Sequence, residues 1–262
     1  MILQHAVQVA ALGFFVGFAA SPIARAAQPA PPVPAISEEA GTAVSRMGKT
    51  LLAKELSFTA KTIRVYLDET GQPLHIFHTM KVVVRRPNRL ATQVSGDDGS
   101  HHLFYDGETV SIFFPGSKEY AVIAAPGDIQ SALNEALAKL NVDFPLGDFF
   151  TDTPDQSLLQ GVIAGWQVGI ASVDSVECQH LFFSQTGGID LELWVENNST
   201  AIPHRLVVTY RLLPGQPHFI AEFADWNFGV HPSNAEFVFQ PPADAKKIEL
   251  GSAVRPEKKG SE

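Results

Sequence analysis

The sequence predicts an α+β fold: one large antiparallel sheet whose apolar face is covered by a few helices. Three observations lead there. Short alternating segments bounded by turn residues recur along most of the chain, the pattern of half-wetted strands. Helical periodicity appears mainly near residues 37–53 and 128–140. Parallel pairing would need a crossover after each strand, and only one such region, near residues 126–150, interrupts the strands.

The elements follow in order. Val7 to Ala20 is an apolar run, closed by Ala24-Arg25-Ala26. That is the pattern of a cleavable secretory signal over residues 1–27, too short for comfortable bilayer spanning, which needs about 20 apolar residues. Two features bear on processing. No Lys or Arg precedes the run, and no cysteine lies near the site to carry a lipid. The expectation is a periplasmic protein that is not itself a lipoprotein, with a mature start near Ala27 or Gln28; the alternative is that the segment is kept as an anchor. Residues 28–36 read as a Pro/Ala linker.

The main domain is expected over residues 37–250. Ser37 caps a helix running to about Ala53, with Ile36, Ala40, Val44, Met47 and Leu51 on one stripe. Phe58 to Leu67 reads as a strand with a phase slip near Thr62 that suggests a bulge. Leu74 to Arg86 alternates, with Leu74, Ile76, His78, Met80, Val82 and Val84 on one face. After Pro87-Asn88, Leu90 to Val94 follows, and Gly96-Asp97-Asp98-Gly99 turns the chain. His101 to Tyr105 leads through Asp106-Gly107, a tight-turn signal, into Val110, Ile112 and Phe114. Tyr120 to Ile123 completes this series. Ile129, Leu133, Ala136, Leu137 and Leu140 then recur at helical spacing, and Phe144 to Phe150 reads as a second short apolar segment. Strands resume after Pro154 as 162–170, 176–184, 189–195, 204–212, 219–228 and 236–239. Residues 251–262 are charged and expected to be disordered.

Composition narrows the function. The chain has 262 residues, enough for a substantial core. Its net charge of −9 argues against a nucleic-acid binder, which needs a basic stripe, and against electrostatic docking on anionic lipid. Cys178 is the only cysteine, so no internal disulfide forms, and its apolar neighbours mark it as a buried small hydrophobe.

Several local patterns carry a family resemblance: Arg86-Pro87-Asn88-Arg89-Leu90, Tyr105-Asp106-Gly107-Glu108-Thr109-Val110, Phe114-Pro115-Gly116-Ser117-Lys118-Glu119-Tyr120, Leu193-Trp194-Val195, Ile202-Pro203-His204-Arg205-Leu206-Val207, Phe223-Ala224-Asp225-Trp226 and Phe237-Val238-Phe239-Gln240-Pro241-Pro242 with Ala243-Asp244-Ala245. Over residues of about 40–250 the chain resembles an uncharacterised family of predicted periplasmic proteins, itself similar to the LolA/LolB-like lipoprotein-carrier superfamily. The resemblance implies a half-open β-barrel lidded by helices, with an apolar cavity on its concave face for acyl chains. The strand pattern alone does not supply that cavity, and fold does not by itself give function.

Chemistry offers less. The nine histidines are scattered, without the spacing of a metal site. His101 and His102 are adjacent on a strand and point to opposite faces. Asp97-Asp98 is one carboxylate pair, too few for the usual 6–8 calcium oxygens. No nucleophile elbow, phosphate loop or dinucleotide fingerprint is present. The expectation is no catalytic residue, no metal and no cofactor. Arg85, Arg86 and Arg89 form the one basic cluster, read as a solvated strand end or as a cation at a cavity mouth. If the sheet halves curve together, the candidate cavity lining is Ile76, Val84, Ile112 and Phe114 on N-terminal strands. It continues through Leu133, Leu137 and Leu140 on the covering helix, and Leu191, Leu193, Leu206, Val208, Phe219 and Phe223 on C-terminal strands.

The expected function is a periplasmic binding or carrier protein for a lipid, acyl chain or other apolar ligand, with an envelope protein as a further partner. The alternative is a non-enzymatic structural or envelope-assembly module without a transferable ligand.

Overall fold

Ser37 caps the first helix as expected: its Oγ accepts the Ala40 N–H at 3.3 Å and opens α1 (Glu38–Leu51). Glu38 and Glu39 in the first turn and Lys49 in the last complement the helix dipole. The structure, a computed structural model, describes residues 35–140, 142 and 144–249. The expected signal, most of the linker, and the tail lie outside the described residues. The last linker residues, Ala35 and Ile36, pair with Gly165 through an isolated bridge.

Six strands follow α1: β1 (Glu55–Leu67), β2 (Pro73–Arg85), β3 (Arg89–Gly96), β4 (Gly99–Tyr105), β5 (Thr109–Phe114) and β6 (Glu119–Ala124). The β4–β5 turn is the Asp106-Gly107 one. Asp106 Oδ1 accepts the Glu108 and Thr109 N–H groups, and Gly107 takes φ +94°. α2 (Ile129–Leu140), a 3₁₀ turn at Gly147–Phe150 and α3 (Pro154–Leu158) form the interlude. Then come β7 (Val162–Val173), β8 (Val176–Gln185), β9 (Ile189–Glu196), β10 (Pro203–Tyr210), β11 (His218–Asn227) and a short β12 (Lys246–Lys247). All twelve strands lie in one open sheet, ordered β12-β6-β5-β4-β3-β2-β1-β11-β10-β9-β8-β7. Two meanders join where β1 pairs with β11. Every neighbour is antiparallel except β12 on β6.

Even-numbered residues of β1 and β2 face the helices, and odd-numbered ones face out. α1 packs on β7 and β8, and α2 on β5. Val44, Met47 and Leu51 meet Leu181, Phe183, Leu193 and Leu206 in the same core. Phe58, Phe149, Phe150, Phe223 and Trp226 form an aromatic knot with ring centroids 4.3–6.3 Å apart.

Two expectations are corrected. The bulge is not at Thr62: β1 pairs with β2 in unbroken register, and its irregularity lies against β11, between Ser57 and Thr59. Residues 236–239 are not a strand. Asn234–Phe237 is a 3₁₀ turn, and the segment straps the outer face, with Phe237 fully buried on Val83 and Ala91 and Phe239 against Phe104, Phe113 and Tyr120. The alternation of Phe237 and Phe239 records two anchors on a sheet face, not sheet membership. Pro154 opens α3, since proline suits the first helical position, and the strands resume after it with β7, as expected.

Candidate functional site

The inner face is filled unevenly. Under α1 and α3, Leu191, Leu193 and Leu206 close around a gap of only about 10 Å³ with Val44, Leu158, Leu159 and Phe183. That is about the limit for one water. Toward the β1–β5 side, the face is hollow. A cavity of about 470 Å³ lies between Thr62, Arg64, Tyr66, His78, Met80, Val94, His101, Ile112 and Phe114 of the sheet, Phe219 of β11, and Leu140, Val142, Phe144 and Pro145.

The expected lining residues therefore separate. Ile112, Phe114, Leu140 and Phe219 border the cavity. Leu191, Leu193 and Leu206 lie in the packed half. Val208 and Phe223 are buried, Phe223 inside the aromatic knot. Val84 is buried opposite Leu56, and Ile76 stands half-buried opposite Arg64. Leu133 and Leu137 border a shallow groove of about 240 Å³ between α2 and residues 144–148, and Leu137 is 49% exposed there. The α2 stripe is narrower than its sequence pattern, because the helix buries Ile129, Ala132, Leu133, Ala136 and Leu140 and leaves Leu137 outside.

One end of the cavity is polar. His78 sits with Nε2 2.6 Å from Asp98 Oδ1. Its ring fits because Gly96 is opposite: an added Cβ there would fall 2.3 Å from the imidazole. Burial, then the neighbouring His78, holds the His101 imidazole below the usual histidine range. The Arg64 guanidinium lies 5.6 Å over the Phe219 ring. Apolar side chains share the lining about equally with charged and hydrogen-bonding groups, the latter toward one end, an arrangement suited to an amphipathic molecule.

Arg64 is absent from the lining expected from sequence. The cluster singled out there has other work. Arg86 donates to the carbonyls of Leu51, Phe149, Phe150 and Thr151 at 2.6–2.9 Å, tying α1 to the 3₁₀ turn. Arg85 donates to Pro232 and Asn234 and covers the Phe237 ring at 5.0 Å. Arg89 donates to Asn88. None of the three borders the cavity. A usable signal does exist: along the inner phase of β1, Phe58, Ala60, Thr62, Arg64 and Tyr66 grade from core to polar lip.

Cys178 is buried, and burial, with Glu196 nearby, raises its thiol above the usual range, so it stays protonated. Among the described residues no three His, Cys, Asp or Glu side chains are placed to hold a metal ion, and no helix is long and apolar enough to cross a membrane. A larger concavity, about 680 Å³, lies on the opposite face of the sheet. Strands and the β3–β4 turn line it, whereas the inner cavity is bordered by Leu140 of α2, Val142, Phe144 and Pro145.

The match to a family model settles membership. The chain belongs to the family of predicted periplasmic proteins DUF2092, whose model spans residues 40–251. A comparison with curated proteins finds no match. Similar solved structures include an uncharacterized conserved protein from Thermus thermophilus (9% identity, 80% of this chain and 99% of that one, TM-score 0.48). Others are the lipoprotein LppX of Mycobacterium tuberculosis (14%, 74% and 99%, TM-score 0.45) and a LolA superfamily protein from Nitrosomonas europaea (10%, 76% and 97%, TM-score 0.37).

Proposed function

We propose that this member of the family binds a lipid or single acyl chain in the inner cavity, as a periplasmic binding or carrier protein. The observation that carries the reading is the uneven filling of the inner face: one half closes to a gap of about 10 Å³, the other keeps about 470 Å³. A cavity in the range of about 300–1,000 Å³ with apolar walls and a few convergent polar groups is the ordinary form of a small-molecule site. Each Å² of chain buried contributes about 25 cal/mol, so roughly 300 Å² contributes about 7.5 kcal/mol, the micromolar range before association costs. An envelope partner that loads or receives the ligand completes the carrier reading.

The test is titration with a fluorescent fatty acid. Wild type binds it with micromolar affinity. Phe114→Glu, which puts a charge on the cavity wall, weakens binding at least about tenfold, while Glu236→Gln on the outer strap binds normally. Melting curves are taken for each variant. A folded wild-type protein that binds no probe, and carries no lipid by native mass spectrometry when purified from its envelope, sinks the proposal and leaves the structural-module reading.

A further inference from the structure

The register of the sheet lines up two rows on its outer face. In one, Val207, Ile220, Ile63 and Phe77 are successive cross-strand partners from β10 to β2. In the next, Trp194, Arg205, Glu222, Lys61, Thr79 and Ser95 are partners from β9 to β3. The 680 Å³ concavity runs along both rows and is bordered by all of these residues. The apolar row makes its floor and the polar row its rim. Across six strands at about 4.8 Å spacing the groove is about 24 Å long. Phe77 is 52% exposed, and its ring meets no other aromatic ring among the described residues.

The charges along the groove are not balanced evenly. Glu222 stands opposite Lys61 in register, where opposite charges normally pair. Its Oε1 instead accepts two bonds from Arg205, at 2.7 and 3.1 Å. Arg205 is held further by Trp194, 5.4 Å beneath its guanidinium. The Lys61 side chain makes no ion pair or hydrogen bond among the described residues. It is an uncompensated cation beside an apolar floor. At the β3 end, Asp97 accepts the Phe77 N–H at 3.0 Å and brings negative charge.

We propose that this groove is a second binding site, for a small amphipathic molecule with a flat apolar body and one anionic group. The body lies on Ile63, Phe77, Val207 and Ile220. The anion meets Lys61 and is turned away from Asp97. A groove of this volume with an apolar floor and one available charge is a small-ligand site by the same physical criteria as the inner cavity. It lies on the opposite face and stands whether or not the inner cavity holds an acyl chain.

The probe is 1-anilinonaphthalene-8-sulfonate, which carries one sulfonate on a flat aromatic body. Its uncharged relative N-phenyl-1-naphthylamine is the comparison. Wild type is expected to bind the sulfonate probe, with affinity falling about tenfold in Lys61→Met and further in Val207→Glu. The uncharged probe should not sense Lys61. Phe114→Glu separates the faces: it weakens fatty-acid binding in the inner cavity at least about tenfold and leaves the sulfonate probe bound. Lys61 is exposed, so Lys61→Met folds even if Val207→Glu does not. The proposal is overturned if the folded wild type does not bind the sulfonate probe, if Lys61→Met binds it as wild type does, or if Phe114→Glu removes it.

Discussion

His101 lies on the inner face of β4, opposite Val94, at the polar lip of the cavity. Burial first, then His78, His102 and Arg64, lowers its pKa, and Asp98 only partly opposes this. A histidine with a folded pKa below its unfolded value of 6.5 favours folding while both states are neutral. That contribution is complete above the unfolded pKa and is lost as pH falls through the folded one. Melting temperature should therefore drop on acidification below about pH 6.5, and drop less in His101→Gln. Equal slopes for the two proteins between about pH 7 and 5 would remove His101 from the account. Single residues are the least legible part of the site. The phase slip near Thr62 is visible in the sequence, but its cause is not. The alternation breaks because Ile63 faces the outer groove and Arg64 the inner cavity. Apolar residues on both phases look like a bulge when one face is assumed dry and the other wet. Arg86 fails in the opposite way: a cation next to proline reads as exposed, and only the fold brings four carbonyls to it.

At the scale of elements, local signals carry most of the fold. Ser37 before an apolar stripe marks α1, Asp106-Gly107 marks the β4–β5 hairpin, and the stripe from Ile129 marks α2, because each depends on chemistry within a few residues. The strap over residues 234–249 depends on distant partners, so its local pattern misleads. Phe237 fills a small core of its own with Val83, Ala91 and Phe104, and Lys246–Lys247 then extends the β6 edge. This edge would otherwise offer unpaired backbone groups. Phe237→Ala should cost about 3–5 kcal/mol, as for a buried aromatic. It should also speed hydrogen exchange at Lys246 and Ile248, whose N–H groups bond Lys118 and Tyr120 carbonyls. Unchanged exchange there would mean that β12 holds without the Phe237 anchor.

The whole molecule joins two inner-face halves of different character, and this decides how its stability responds to ligand. The packed half, beneath α1 and α3, is closed by Val44, Leu158, Phe183, Leu191, Leu193 and Leu206. The hollow half, beside Leu140, Val142, Phe144 and Pro145, leaves its lining short of van der Waals partners. Charge in the two halves should then act differently. Leu193→Glu buries a carboxylate where no space remains, and should cost the fold itself rather than binding alone. Phe114→Glu falls at a half-buried position and should lower stability modestly while weakening acyl-probe binding. A ligand that binds only the folded state stabilises it by about 2.7 kcal/mol at a hundredfold excess over Kd. For a domain of this size that corresponds to roughly 5–11 °C in Tm. Saturating fatty acid should raise wild-type Tm by that amount and Phe114→Glu by less. A rise of the same size in both proteins would place the acyl chain outside the inner cavity. In that case the hollow half would be slack in the packing and not the site.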